Sequence, residues 1–418
     1  MRKNLKTLPV VMMLAMMFTG CNVADMVDYY NSPERGYTHL TIGDTIYRGG
    51  IGNVVQIHAG FTSPLEGLCR DPLCSHDMDT VCPDSAQFTG TSRYYCTDGE
   101  RIYFSVWNEY RSLEAVFETG VGKMIRQIYS IYPDGSDLTL LTEYEFTTIS
   151  NEELRIHDGY LYFEQSFYKE DAPEQASAED QYTKIRRISV NGGKTEDVFE
   201  EKFSVYVRFF IDDENYYLLE PDADTDTNIL TIINRDTLSE TEAEIPDNRS
   251  VISLYTYRDD TYILCAGDAV QVTYGEKHHF APSIMLKFCD GAYELIAEDI
   301  GSCTFADGAF WYTPFEVQYH GTKEVPTGKA NETEPMDFIS KTGNTITRID
   351  LETRTEEKWI CDLGETASPM ILGMSQGILL AEISDMGKYF ETGVYETSIH
   401  KIKLNDDGTV TDLGEFAS

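Results

Sequence analysis

IYSIYPDGSDLTLLTE, residues 128–143, holds two runs of β-branched and aromatic residues on either side of a Pro-Asp-Gly turn. Ile, Tyr and Thr suit the pleated backbone, and Asp-Gly between two such runs marks a hairpin, because Gly takes positive φ at no steric cost. A lone hairpin is at best marginally stable in water, so this one needs partners. The chain supplies them as copies. Similar hairpins read IRRISVNGGKTEDVFEE (185–201), LTIINRDTLSETEAEI (230–245), MLKFCDGAYELIAED (285–299), ITRIDLETRTEEKWICDLG (346–364) and HKIKLNDDGTVTDLGEF (400–416).

A more aromatic hairpin precedes each copy: YYCTDGERIYFSV (94–106), LRIHDGYLYFEQ (154–165), RFFIDDENYYLL (208–219), LYTYRDDTYILC (254–265), CTFADGAFWYT (303–313) and ILGMSQGILLAEI (371–383). HLTIGDTIYRGG (39–50) and VVQIHAGFTSPLEGLC (54–69) make a weaker first unit. The unit of four strands recurs seven times, at a spacing of about 46–69 residues, close to that of propeller blades. Such a unit cannot bury both faces alone, so units stack and share a core. The expected fold is an all-β, seven-bladed β-propeller over 38–418. Six or eight blades are the alternatives, should a weak copy be misassigned.

With the strands of a unit labelled A to D, the A–B and C–D turns are tight and carry Asp-Gly or Asn-Gly. The surplus length lies in the B–C connections, about 107–125, 166–182, 220–228, 266–282, 314–343 and 384–396. B–C and D–A connections leave the same end of a unit, so one face is plain and the other rich in loops, where binding usually resides. Aromatics and histidines in those loops are the candidate ligand-binding residues: Trp107, Tyr110, Tyr168, Tyr274, His278, His279, Phe315, Tyr319, His320 and Tyr389. Packing of the loops onto the scaffold is the competing reading of each.

The N-terminus adds an address. Arg2, Lys3 and Lys6 precede an apolar run, Leu8–Phe18, too short for a membrane span of about 20 residues but suited to a secretory signal. Phe18-Thr19-Gly20-Cys21 resembles the lipobox of bacterial lipoproteins, with Phe18 where Leu is usual. The resemblance implies a signal peptide over 1–20, a lipidated Cys21, a tether over 21–37 and a location on the outer face of the cell membrane. The formal net charge of -38 repels nucleic-acid phosphates, so nucleic acid is not an expected partner. A hydrophobic content of 41% is enough for a core, which separates this acidity from disorder.

Eight cysteines remain beyond Cys21. Cys69, Cys74, Cys82 and Cys96 lie close together in a D–A insertion spanning 69–96, and outside the membrane two disulfides among them are expected. The rival is structural zinc on Cys69, Cys74, His76 and Cys82, a Cys₃His set with unfamiliar spacing. Cys265, Cys289, Cys303 and Cys361 fall in strands, and a Cys265–Cys289 bridge within one unit is the other pairing in reach. Asp222–Asn228 has alternating oxygen ligands, but Thr227 replaces the turn Gly and Ile233 the final Glu, so calcium is not expected. No nucleophile motif, P-loop or His-Glu-x-x-His occurs.

The hairpin at 128–143 resembles those of YWTD-type and TolB-like β-propellers. Leu68-Cys69-Arg70-Asp71-Pro72-Leu73-Cys74-Ser75-His76, with Cys82-Pro83, resembles a segment of β-propeller lipoproteins of anaerobic Gram-positive bacteria. That family implies the fold and the address and brings no activity with it. The expectation is a lipid-anchored propeller that binds a protein or glycan at the cell surface and needs no cofactor. The alternatives are an extracellular glycan or peptide lyase or hydrolase, and a structural accessory of an envelope complex.

Overall fold

The structure is a computed structural model describing residues 39–42, 45–49, 54–58, 66–69, 91–107, 123–147, 153–170, 172, 178–222, 228–257, 260–268, 270–274, 276–289, 292–306, 308–326, 333–342, 344–361, 367–375, 378–385 and 397–415. These residues are all-β, with two short 3-10 turns and no α-helix. The first sheet comprises β1 (His39–Ile42), β2 (Thr45–Gly49), β3 (Val54–His58) and β4 (Glu66–Gly67). The second comprises β5 (Thr91–Thr97), β6 (Ile102–Trp107), β7 (Lys123–Ile131) and β8 (Thr139–Thr147). The third comprises β9 (Leu154–His157), β10 (Tyr160–Tyr168), β11 (Gln181–Ser189) and β12 (Glu196–Asp197). The fourth comprises β13 (Arg208–Ile211), β14 (Asn215–Pro221), β15 (Asn228–Asn234) and β16 (Glu240–Glu242).

Next come β17 (Val251–Tyr257), β18 (Asp260–Ala266), β19 (Val270–Tyr274), β20 (Glu276–Phe280), β21 (Ser283–Cys289) and β22 (Ala292–Ala306). They are followed by β23 (Ala309–Pro326), β24 (Thr333–Thr342), β25 (Thr345–Asp350) and β26 (Glu356–Ile360). These pair in the order β17-β18-β21-β22-β23-β25-β26, with β24 on β23 and with β19–β20 as a separate ribbon. The last sheet is β27 (Ala367–Ser375), β28 (Ile378–Asp385), β29 (Thr397–Leu404) and β30 (Val410–Glu415). Every hairpin read from the sequence is an antiparallel pair here.

Two expectations are corrected. The units at 251–299 and 303–360 do not separate into two sheets, because β22 serves both. No tight turn lies between Asp299 and Cys303; the strand bends there instead, with Asp299 at φ 53 and register shifts on both neighbours. The connections at 266–282 and 314–343 are largely strand rather than loop: β19–β20 fill the first, and β23–β24 extend through the second. Runs such as VQVTY and FEVQY alternate well enough to pair wherever a turn brings a second run alongside.

The core sits between sheets rather than within them. Leu40, Tyr47 and Leu68 of the first sheet pack on Tyr95, Phe104 and Ile131 of the second. Cys96, Tyr103 and Ile128 of the second pack on Leu154, Leu161 and Phe163 of the third, whose other face sets Tyr162 and Ile185 against Phe209 and Tyr216 of the fourth. The pattern continues through Tyr217 on Ile263 and Tyr262 on Phe310 to Trp311 on Leu379. Residues alternate along each strand, so one sheet serves two neighbours. β1 also lies beside β27, bringing the first sheet next to the last.

The register exposes the repeat at side-chain level. The third position of the second strand, the second in β6, carries Tyr47, Tyr103, Tyr162, Tyr217, Tyr262 and Trp311 in successive units, all buried. In two units the preceding turn is tied to that ring identically. The Asp98 carboxylate accepts the N–H groups of Glu100 and Arg101 and, at 2.7 Å, the Tyr103 hydroxyl. Asp212 accepts the N–H groups of Glu214 and Asn215 and, at 2.5 Å, the Tyr217 hydroxyl.

Candidate functional site

β9 departs from the repeat. Where the other units carry Leu40, Cys96, Phe210, Tyr255, Thr304 and Gly373, β9 carries Arg155, in each case opposite the repeated ring position of the second strand. Glu153, Arg155 and His157 follow at every second residue and so share one face of the strand. A charged stripe therefore runs across a packed seam between the third and fourth sheets.

At one end of the stripe, the Arg155 guanidinium bridges two carboxylates. Nη1 donates to Glu164 Oε1 at 3.2 Å, and Nη2 pairs with Glu153. Glu164 Oε1 also accepts the Phe209 N–H of the fourth sheet at 2.9 Å, and the Phe210 ring lies 4.3 Å beneath the guanidinium carbon. The Glu164 side chain is 1% exposed, and its Oε2 has no hydrogen-bond partner among the described residues. Burial pushes the Glu164 carboxyl up to about 7, against the opposing pull of Arg155.

At the other end, Arg235, from the turn between β15 and β16, crosses to the third sheet. Nη1 donates to His157 Nε2 at 2.6 Å and to the carbonyls of Asp212 and Asp213 at 2.9 Å each, while Nη2 meets Asp158 at 2.5 Å. The guanidinium has no acceptor site, so His157 accepts through a neutral Nε2 and carries its proton on Nδ1. Burial and the Arg235 charge hold His157 below the ordinary histidine range. The hydrogen bond from Arg235 lowers Asp158. Ligand atoms of His157, Asp158 and Asp213 lie within 4.8 Å of one another, a spacing suited to a metal. Arg235 already occupies that position as the cation, so the residues fit an arginine clamp better than an ion.

The residues expected from the sequence lie elsewhere. Cys96 is a correction: it sits in β5 rather than in the insertion, fully buried against Tyr103, Ile128 and Phe163, and burial pushes its thiol well up. No disulfide joins Cys69, Cys96, Cys265, Cys289, Cys303 or Cys361 to one another, so the Cys265–Cys289 bridge is not formed. Cys74, His76, Cys82, Tyr110 and Tyr389 lie outside the described residues, as do Cys21 and the signal segment. Trp107 ends β6, opposite Arg126 of β7. Tyr168 ends β10 half-buried, opposite Gln181. Tyr274, His278 and His279 belong to the β19–β20 ribbon. Phe315, Tyr319 and His320 lie along β23, where the half-buried Tyr319 shares a hydrogen bond with Thr322. Asn228, at the end of the acidic stretch, donates its side-chain amide to the Val251 carbonyl. The charged stripe lies on a strand, away from the loops to which the sequence pattern points. Its signal was Glu-Leu-Arg-Ile-His-Asp at 153–158, ionisable residues alternating in an inner strand.

No protein-family model and no curated protein sequence matches the chain. Solved structures do. An acylaminoacyl peptidase in complex with Z-Gly-Gly-Phe-chloromethyl ketone superposes with a TM-score of 0.50 at 11% identity, over 92% of this chain and 53% of that one. The β-propeller domain of the Trilobed protease from Pyrococcus furiosus has a TM-score of 0.46 at 10% identity, over 91% of this chain and 96% of that one. An oligogalacturonate lyase in complex with manganese has a TM-score of 0.46 at 7% identity, over 90% and 91%. The chain spans about half the length of the peptidase. At these identities the likeness concerns the fold alone.

Proposed function

We propose that the chain is a lipid-anchored extracytoplasmic protein whose seven-bladed β-propeller binds a protein or glycan partner through its loop-rich face. The blade count is supported by the seven recurrences of the four-strand unit, by core packing between successive sheets and by the position of β1 beside β27. The address is supported by the charged start, the short apolar run and Cys21.

The observation that carries the binding reading is the asymmetry of the connections. Chain reversals at one end of the sheets are as short as Asp158-Gly159, between β9 and β10. At the other end, β10 and β11 are separated by 169–180, and two further reversals grow into the β19–β20 ribbon and the long β23–β24 hairpin. Rigid sheets that present long excursions on one side only resemble the usual arrangement of a binding surface. A photo-crosslinking amino acid at Glu170 or Glu316, compared with one at Asp137 or Asp407, tests this in intact cells. Adducts to an envelope protein or glycan from the first pair alone are expected. Equal yield from both pairs, or none from either, would overturn the reading.

A further inference from the structure

Ser398 and His400 stand two residues apart on β29, so they share one face of the strand. Ser398 Oγ lies 2.9 Å from His400 Nε2, and His400 Nδ1 lies 2.9 Å from Asp412 Oδ2 of β30. The Asp412 carboxylate only accepts, so the neutral ring carries its proton on Nδ1 and donates it there. Nε2 is then an acceptor, and the Ser398 hydroxyl donates to it. Serine, histidine and aspartate in that order form the relay that activates a hydroxyl for attack, whatever the fold that carries them.

The strands fix each member. His400 pairs with Glu415 and Ile402 with Asp412, so β30 uses one residue more than β29 over this step. The bulge turns Asp412 onto His400 in place of the paired Glu415. Gly414 sits in the bulge at φ 102, and its N–H holds Asp412 Oδ1 at 2.8 Å, which leaves Oδ2 for the ring. On β28, Ser398 pairs with Ile383 and His400 with Ala381, and both partners belong with Ile402 to the core against Trp311. That packing gives the relay a rigid floor. β29 begins at Thr397, at the end of the sheet away from the Asp407-Gly408 turn, so Ser398 lies on the side of the long connections. Ser398 and His400 are half-buried and the Asp412 side chain is 36% exposed, within reach of a small molecule from solvent.

We propose that Ser398 is an acyl-accepting nucleophile, with His400 as its base and Asp412 as the residue that positions the ring, and that the chain hydrolyses carboxylic esters. This activity goes beyond partner binding and does not rest on it. Ser398 Oγ attacks the ester carbonyl carbon while its proton passes to His400 Nε2. The carbon–oxygen bond to the alcohol breaks, and the alcohol leaves with that proton, giving acyl-Ser398. Water then attacks the acyl carbon and passes a proton to Nε2. The Ser398 oxygen leaves, takes the proton back, and the carboxylic acid is released. The substrate class is an ester rather than an amide, because an alcohol leaves more readily than an amine and this site shields the reacting atoms from water only in part.

The test is hydrolysis of p-nitrophenyl acetate by the whole chain, in parallel with a fluorophosphonate, which forms an oxygen–phosphorus bond with an activated serine and releases fluoride. Peptide mass spectrometry locates the adduct. Wild type should carry it on Ser398. Ser398→Ala should lose both the adduct and the ester hydrolysis, and His400→Gln should slow both by about 100-fold or more. Asp412→Asn presents an amide N–H to Nδ1, so the ring proton should move to Nε2 and labelling should slow by about 10³–10⁴-fold. Nitrogen-15 shifts of His400 read that change of tautomer, and slowed labelling with an unchanged tautomer overturns the role given to Asp412. Hydrolysis equal in wild type and Ser398→Ala, or adducts on other serines and none on Ser398, overturns the proposal. Should the variants not fold, the position of the adduct on wild type decides alone.

Discussion

At the scale of single residues, the repeated ring position tests how much each unit depends on its aromatic. Trp311 is 1% exposed between the β22–β26 sheet and the last sheet. Trp311→Ala should cost about 3–5 kcal/mol of unfolding free energy, read by denaturant titration. The two Asp–Tyr ties allow a finer comparison. Tyr103→Phe removes a hydroxyl from Asp98 and should cost about 1 kcal/mol. Tyr217→Phe should cost less, because Thr261 also donates to the same Asp212 oxygen, at 2.7 Å. Equal losses would mean that Thr261 does not substitute for the phenol.

At the scale of elements, β9 carries opposing titrations. His157 is depressed, so its contribution is present above the unfolded histidine value near 6.5 and is lost as pH falls through the lower folded value. Glu164 works the other way. The two act in opposite directions over the same span just below neutrality, so there each masks part of the other. His157→Gln should remove the opposing contribution and steepen the loss of stability as pH rises towards neutrality, leaving the profile above about 7 unchanged. The β7–β8 turn carries a different constraint. Gly135 sits at φ 82, and a Cβ there would meet Leu68 Cγ of the first sheet at 3.2 Å. Gly135→Ala should cost about 1–2 kcal/mol from backbone strain, before any shift of Leu68. A Tm unchanged from wild type would contradict that geometry.

At the scale of the whole molecule, each of the first four sheets and the last is built from consecutive strands, and β1 lies beside β27. The proposed propeller makes the order of sheets circular. Joining residue 418 to residue 38 through a short flexible linker, and opening the chain between β8 and β9, should then leave β-sheet circular dichroism and cooperative unfolding intact. A permutant that stays unfolded while the native order folds would show that the first and last sheets are not a true seam.

The strands and their hairpins were legible without coordinates because each is a local pattern: alternating polarity sets the strand, and Asp-Gly or Asn-Gly sets the turn. Misjudged elements were those whose fate depends on a neighbour. β22 runs through two units because no turn interrupts Asp299–Cys303, and 270–280 and 315–342 pair only because their ends are brought together. Cys96 shows the same limit in one residue. Its closeness in sequence to Cys69, Cys74 and Cys82 suggested a bridge, while its place facing Leu161 and Phe163 makes it part of the core. The amino-acid sequence by itself determined the class of fold, the unit and its recurrence, since these rest on interactions a few residues apart. Only the tertiary structure decided that Glu153, Arg155 and Glu164 meet the Phe209 amide, and that Arg235 reaches His157 across 78 residues. Charges so far apart in the chain acquire a common environment only when two sheets stack and exclude water between them.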